Sequence, residues 1–221
     1  MADLRIVMET GKQKAFASAL DWPGWSRGGK KTSDNAIAAL LDYRERFAAV
    51  LATTGKVQLP EGTPRIEVVE EQAGDGQTDF GVPGQVAASE ETPIEGEELE
   101  RQIAILESCW TFFDQVAASV SPELRRGPRG GGRDRDPIID HVFQAERGYA
   151  TSLGMKRIEL PIDDAGALAE HREAVLAALR ELGPNTRLEG RKWPVRYVIR
   201  RMAWHLLDHA WEMQDKDLSK E

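Results

Sequence analysis

The sequence contains a single cysteine, Cys109, and only four histidines in 221 residues. One cysteine cannot form an internal disulfide or a cysteine-based zinc cluster, so a metal site in this chain needs histidine and carboxylate ligands. No uninterrupted apolar run approaches the roughly 20 residues of a membrane-spanning helix, so we expect no membrane association. The first residues lack a basic segment followed by an apolar one, so we expect no secretory signal and a cytoplasmic protein.

Lysine and arginine are absent from residues 66–100, which contain eleven acidic residues. The whole chain has 29 basic and 37 acidic residues and a net charge of −8, which gives it no general attraction to nucleic acid. Outside this segment, 26 acidic residues stand against 29 basic ones. The acidity therefore belongs to one segment and does not argue against an anionic substrate.

The acidic segment also predicts how the chain is divided. Residues 72–96 are rich in glycine, proline, serine and threonine, a composition that cannot bury enough apolar surface to become ordered by itself. We interpret residues 72–96 as a linker between a small N-terminal domain, residues 1–71, and a C-terminal domain, residues 97–221.

The N-terminal domain is predicted to be a small β-β-α-β unit. Leu4, Ile6 and Met8 alternate with polar or smaller residues as in a strand, and a second short strand follows at 16–20. Residues 21–34 are rich in turn residues, and we expect the two tryptophans in them, Trp22 and Trp25, to be more exposed than core aromatics. A helix capped by Thr32 or Ser33 and a last strand near 66–69 complete the unit.

The C-terminal domain is predicted to be all α-helical. Apolar residues recur at helical spacing over about 97–120, 136–154, 164–182 and 194–215. Four amphipathic helices, each with one apolar face, are typical of a four-helix bundle. The fold class of the whole chain is therefore predicted to be α+β.

Two histidines interrupt the apolar face of the last helix. The core positions Val198 and Met202 continue in the same register to His205 and His209, which lie about one turn apart and can share a metal ion. His141, near the start of the second helix, can face the same interior. Three imidazoles in an apolar core are costly to desolvate separately, so a shared divalent metal with an open coordination position is the interpretation we favour.

The remaining candidates lie around this cluster. We expect His171, among charged neighbours, to face solvent, and Cys109 to be a small buried residue. Leu206 follows His205 where the H-E-x-x-H motif of zinc proteases has glutamate, which excludes that class.

Carboxylates and arginines near the cluster are candidates for supporting roles. Glu212 and Glu146 are predicted to orient the imidazoles or act as acid or base, whereas Asp140 and Asp208 are better explained as helix surface. The loop before the second helix is predicted to bind an anion, and the alternative is a mobile, solvated loop. Its candidate anion-binding residues are Arg129, Arg133 and Arg135.

Two stretches carry a family resemblance: DPIIDHVFQAERGYA around His141, and RMAWHLLDHAWEMQD around His205 and His209. They resemble the DinB-like superfamily of metal-binding four-helix bundles, which includes bacillithiol- and mycothiol-dependent transferases and mycothiol-dependent maleylpyruvate isomerases. The resemblance covers about residues 97–215. It implies that the three histidines bind zinc or nickel and that the open position receives a low-molecular-weight thiol such as mycothiol or bacillithiol.

The N-terminal stretch KAFASALDWPGWSRGGKKTSDNAIAALLDYRERF is similar to the HicB-like antitoxin fold, through Trp22-Pro23-Gly24 and Gly28-Gly29. No helix-turn-helix or ribbon module follows it, so DNA binding is not implied.

These observations leave several functions open. In the first, a three-histidine divalent metal activates a thiol or water for transfer to, or isomerisation of, a small anionic substrate, and hydrolysis would use the same ligands. In the second, the protein is a non-enzymatic regulatory or interaction protein with a HicB-like partner-binding domain. A homodimer is compatible with either.

Overall fold

A four-stranded mixed sheet forms the N-terminal part of the computed structural model, which describes residues 3–30, 32–127 and 131–220. Its strands are β1 (Asp3–Thr10), β2 (Lys14–Ala19), β3 (Ser26–Lys30) and β4 (Arg65–Ala73). They lie in the order β3-β2-β1-β4, with β1 antiparallel to β2 and parallel to β4. The parallel pair requires a crossover, and two helices supply it.

The crossover helices are α1 (Ser33–Asp42) and α2 (Arg44–Ala52). The prediction had one continuous helix here, whereas the helix is interrupted at Tyr43. Thr32 caps α1, as one of the two predicted candidates, because its side chain accepts a hydrogen bond from the backbone N–H of Asn35 at 3.3 Å.

Strand β3 was predicted as part of a turn-rich stretch. Its two glycines allow close packing: a Cβ on Gly28 would lie 2.6 Å from the ring of Phe16, and one on Gly29 would lie 2.6 Å from the backbone of Asn35. The glycines therefore let β3 pack under Phe16 and against α1, and pairing with β2 outweighs their low strand propensity.

Trp22 and Trp25 are buried, so the expectation that they are exposed is wrong. The ring of Trp25 stacks on Phe47 at 5.3 Å, and its indole N–H donates to the carbonyl oxygen of Leu40 at 2.8 Å. Trp22 packs under the guanidinium of Arg101, whose Cζ lies 4.1 Å from the ring centroid. The turn that carries both tryptophans thus lies against the helical part and against the helices that cross the sheet.

Four long helices follow, close to the four predicted spans: α4 (Gly96–Ser119), α5 (Arg135–Ala150), α6 (Ala165–Leu182) and α7 (Val195–Lys216), after a short α3 (Gly76–Phe80). Helix α5 ends at Ala150, before the predicted end, and a single 3-10 turn follows it. Helix α7 packs along α4 and against α5. The α+β class is confirmed, and in the described part of the chain no helix is long and apolar enough to cross a membrane.

The acidic segment predicted as a linker is held by specific polar contacts. Thr78 and Glu90 in this segment are buried, and the Thr78 hydroxyl donates to the Glu9 carboxylate of β1. Arg200 of α7 donates to both oxygens of Glu90 at 2.6 and 3.0 Å, and to the carbonyl oxygen of Gln85 at 2.8 Å. Composition indicated that the segment could not become ordered by apolar burial, yet Ile94 and Ala87 are buried, and these ionic and backbone hydrogen bonds add to that burial. The division of the chain into two domains stays a prediction. Buried apolar residues of both parts belong to one core cluster.

We expect Glu90→Gln to lower the free energy of unfolding by about 3 kcal/mol, because it leaves the buried guanidinium of Arg200 without its counter-charge. Urea denaturation at pH 7 measures the loss. Glu71→Gln is the matched control, since Glu71 is exposed and its substitution should change stability by less than about 0.5 kcal/mol. Equal stabilities for the two variants would contradict the structural role of the pair.

Candidate metal centre

Helices α5 and α7 bring three imidazoles together. His141 lies near the start of α5, and His205 and His209 lie on one face of α7. One possible ligand atom from each ring lies within 4.8 Å of those of the other two. The predicted convergence of the three histidines is confirmed, and they are close enough to bind one metal ion.

The separation of the ring nitrogens fits a shared ion. Nε2 of His205 lies 3.2 Å from Nε2 of His141. Two nitrogens that each lie about 2.0–2.1 Å from one ion are about 2.9–3.4 Å apart, depending on the coordination angle. The ring centroids of the three pairs lie 4.7 to 5.0 Å apart, so each ring is in contact with the other two. The donor set is thus compact enough for one ion.

The imidazoles of His141 and His205 are kept neutral by their surroundings. Burial lowers the pKa of His205 well below its ordinary value, and the neighbouring His209 and His141 lower it further. Burial also lowers the pKa of His141. A neutral imidazole has a free nitrogen lone pair, which is the form that binds a metal ion.

Glu212 lies against the third histidine. Its Oε2 is 2.8 Å from Nδ1 of His209, and its other carboxylate oxygen accepts from Lys216. The hydrogen bond with His209 lowers the pKa of Glu212 to about 2, so the carboxylate is ionised. Because Nδ1 of His209 is hydrogen-bonded to Glu212, Nε2 is the nitrogen that remains for a metal ion. Carboxylates commonly orient histidine ligands in this way.

Glu146 occupies a different place from Glu212. It is buried on α5, its oxygens have no hydrogen-bond partner in the described part of the chain, and Nε of Arg172 lies 3.5 Å away. Burial raises the pKa of Glu146. It lines a narrow cleft together with Tyr149 and His205. The structure therefore places Glu146 beside the cluster without a hydrogen bond to any of its rings.

The predicted anion-binding arginines separate into three cases. Arg129 lies outside the described residues. Arg135 donates to Asp136 at 2.7 Å and so has an acidic partner already. Arg133 is exposed, and its positive charge contributes to lowering the pKa of both His141 and His205. Of the arginines that the structure describes in this loop, Arg133 is thus the one that adds positive potential at the cluster.

His171 is buried, so the prediction that it faces solvent is wrong. It shares the α6 face of Val175 and Leu179, four and eight residues further on, whereas its charged neighbours lie on other faces. Neither ring nitrogen has a hydrogen-bond partner in the described chain, and burial lowers the pKa of His171. Cys109 is buried as expected, and burial raises the pKa of its thiol.

Two residues near the cluster were missed in the sequence. Arg201 lies one turn before His205 on α7, and Tyr149 lies 5.8 Å from the His205 ring between centroids. The signal for Arg201 was its i, i+4 spacing to His205, which places both on one helix face. Nothing in the sequence indicated the proximity of Tyr149, because it depends on how α5 packs on α7.

We expect the metal-free protein to lose stability as the pH falls from 7 to 5.5. The pKa of His205 is lower in the folded than in the unfolded protein, so below about pH 6.5 the unfolded state binds more protons than the folded state. Each such histidine therefore lowers the free energy of unfolding by up to about 1.4 kcal/mol for each pH unit of acidification. Urea denaturation with a chelator at both pH values measures the slope. His205→Gln should reduce it, and an unchanged slope would contradict a buried neutral His205.

Comparisons with protein-family models, with curated proteins and with solved structures find no match for this chain. The functional assignment therefore depends on the geometry of the three-histidine cluster and on the residues around it.

Proposed function

We propose that the protein is a metal-dependent enzyme of the DinB-like type, in which His141, His205 and His209 bind one divalent ion. The observation that carries the proposal is the 3.2 Å separation of the His205 and His141 Nε2 atoms, with the third ring within reach of both. Zinc and nickel are the ions we propose, since three imidazole nitrogens suit both. The helices α4–α7 would then form the four-helix bundle of that type, and the N-terminal sheet would correspond to the HicB-like part.

The number of ligands favours a catalytic over a structural ion. In the described part of the chain, the cluster has three members, whereas a structural zinc site has four protein ligands. A bound ion would supply Lewis-acid chemistry at the open position, where it lowers the pKa of a thiol or of water. The proposed reaction is transfer of a low-molecular-weight thiol to a small anionic substrate, or thiol-assisted isomerisation of that substrate.

The chain's own residues prepare this site in two ways. Glu212 holds His209 through Nδ1 and is itself held by Lys216, so the ring is oriented before any ligand binds. Arg133 adds positive potential at the cluster, which favours an anionic substrate.

Metal content tests the proposal directly. Protein prepared without a histidine tag should contain one zinc or nickel ion per chain by elemental analysis, and His205→Ala should lose it. His171→Gln is the matched control, because His171 is the one histidine outside the cluster. Full metal content in His205→Ala would overturn the site.

Metal-dependent consumption of a thiol with an electrophile supports the enzyme, whereas its absence in the metal-loaded protein would favour a regulatory protein.

We expect Glu212→Gln to weaken zinc binding by about 10- to 100-fold, because the His209 ring loses its carboxylate partner. Competition with a chromophoric chelator at pH 7 measures the affinity. Asp215→Asn is the control on the same helix, since Asp215 pairs with Arg46 and not with a histidine. An affinity equal to that of the unmodified protein would rule out orientation of His209 by Glu212.

A further inference from the structure

Arg201 has a partly buried guanidinium, and no acidic residue of the described chain is paired with it. It lies on α7 one turn before His205, and its Nε and Nη1 atoms are buried and have no hydrogen-bond acceptor in the described part of the chain. A buried, unpaired charged donor is among the most costly groups in a folded protein, so each such group calls for an explanation.

Other arginines of the same helix are paired with carboxylates. Arg196 donates to Glu98, and Arg200 donates to Glu90 at 2.6 and 3.0 Å. The guanidinium of Arg201 contacts aromatic rings instead of a carboxylate. Its Cζ lies 4.8 Å from the centroid of Trp204 and 5.7 Å from that of Tyr149. Such stacking offsets part of the desolvation cost. The Tyr149 hydroxyl also accepts a hydrogen bond from Arg201, but it is neutral and supplies no counter-charge.

The unpaired guanidinium lies at the proposed metal centre. The positive charge of Arg201 contributes to lowering the pKa of His205, and Tyr149, which Arg201 stacks on, also contacts the His205 ring. Trp193 packs on Tyr149 with 5.5 Å between ring centroids and is partly exposed. The three rings and the guanidinium form a wall beside the histidines, defined here as the aromatic wall: Tyr149, Trp193, Trp204 and Arg201.

Glu212 and Glu146 lie beside the histidines, and each has a cation of its own. Glu212 is paired with Lys216 and His209, and Glu146 lies 3.5 Å from Arg172. Arg201 is therefore a cation without an acidic partner in this part of the described chain, and it lies next to the proposed metal position. A phosphate would need several donors for its charge of nearly two, whereas one guanidinium suits a single carboxylate.

We propose that Arg201 binds the carboxylate of a small-molecule substrate, whose apolar part packs on Tyr149 and Trp193. The inference rests on the proposed function, because it names the substrate class of the same metal site. Tyr149 and Trp193 provide the apolar contact, and Arg201 provides the positive charge.

Titration calorimetry with benzoate tests this proposal, and benzamide is the neutral probe of the same shape. Zinc-loaded protein and chelator-treated protein are both titrated. We expect benzoate to bind in both forms, at least tenfold more tightly than benzamide, and Arg201→Gln to lose at least tenfold in benzoate affinity while its zinc content is unchanged. Arg180→Gln is the control, since Arg180 pairs with Glu100 on the surface of α6 and α4. It should bind benzoate as the unmodified protein does.

Arg201→Lys provides the same comparison if Arg201→Gln does not fold, because lysine keeps a charge to stack on the rings but lacks the planar donors. Equal benzoate affinity in Arg201→Lys and in the unmodified protein would overturn the proposal, as would tighter binding of inorganic phosphate than of benzoate. Arg201-dependent benzoate binding in a protein that takes up no zinc would support the carboxylate site and refute the metal-dependent enzyme. Zinc uptake without benzoate binding would refute the carboxylate site and support the metal site.

Discussion

The packing of α7 is the constraint on which the rest of the structure depends. It lies along α4 and against α5, and its residues also contact the N-terminal part: Arg27 of β3 donates to Asp208 at 3.2 Å, and Arg46 of α2 donates to Gln214 at 3.2 Å. The same helix holds the acidic segment through Arg200. Its burial places two histidines in the interior, so the forces that assemble the fold also assemble the site.

Some polar groups in the interior are paired, and others, His171 among them, are not. The Arg200 guanidinium and the Thr78 hydroxyl are paired with glutamates, and these pairs tie the acidic segment to the sheet and to α7. Near the histidine cluster, by contrast, Arg201 and Glu146 retain atoms without hydrogen-bond partners. Unpaired polar groups reduce stability, and their position next to three convergent imidazoles is where a bound ion and a ligand would offset that cost.

Prediction from the sequence succeeded where local patterns dominate. The helical periodicity located α4–α7 to within a few residues, and the register of α7 indicated the histidine pair. It failed where distant partners decide the outcome. Strand β3 depends on pairing with β2, and the two turn tryptophans are buried by α2 and α4. His171 has charged neighbours in sequence, yet it lies on the apolar face of its helix.

By itself, the sequence determined the α+β class, the four long helices and the three candidate ligands, because helical periodicity and residue type are local properties. The tertiary structure decided which side chains surround the ligands. The contact of Tyr149 with His205 depends on how α5 packs on α7, and the lack of an acidic partner for Arg201 depends on where the acidic residues of the described chain lie. Such properties belong to pairs of residues from different helices, and no single stretch of sequence encodes them.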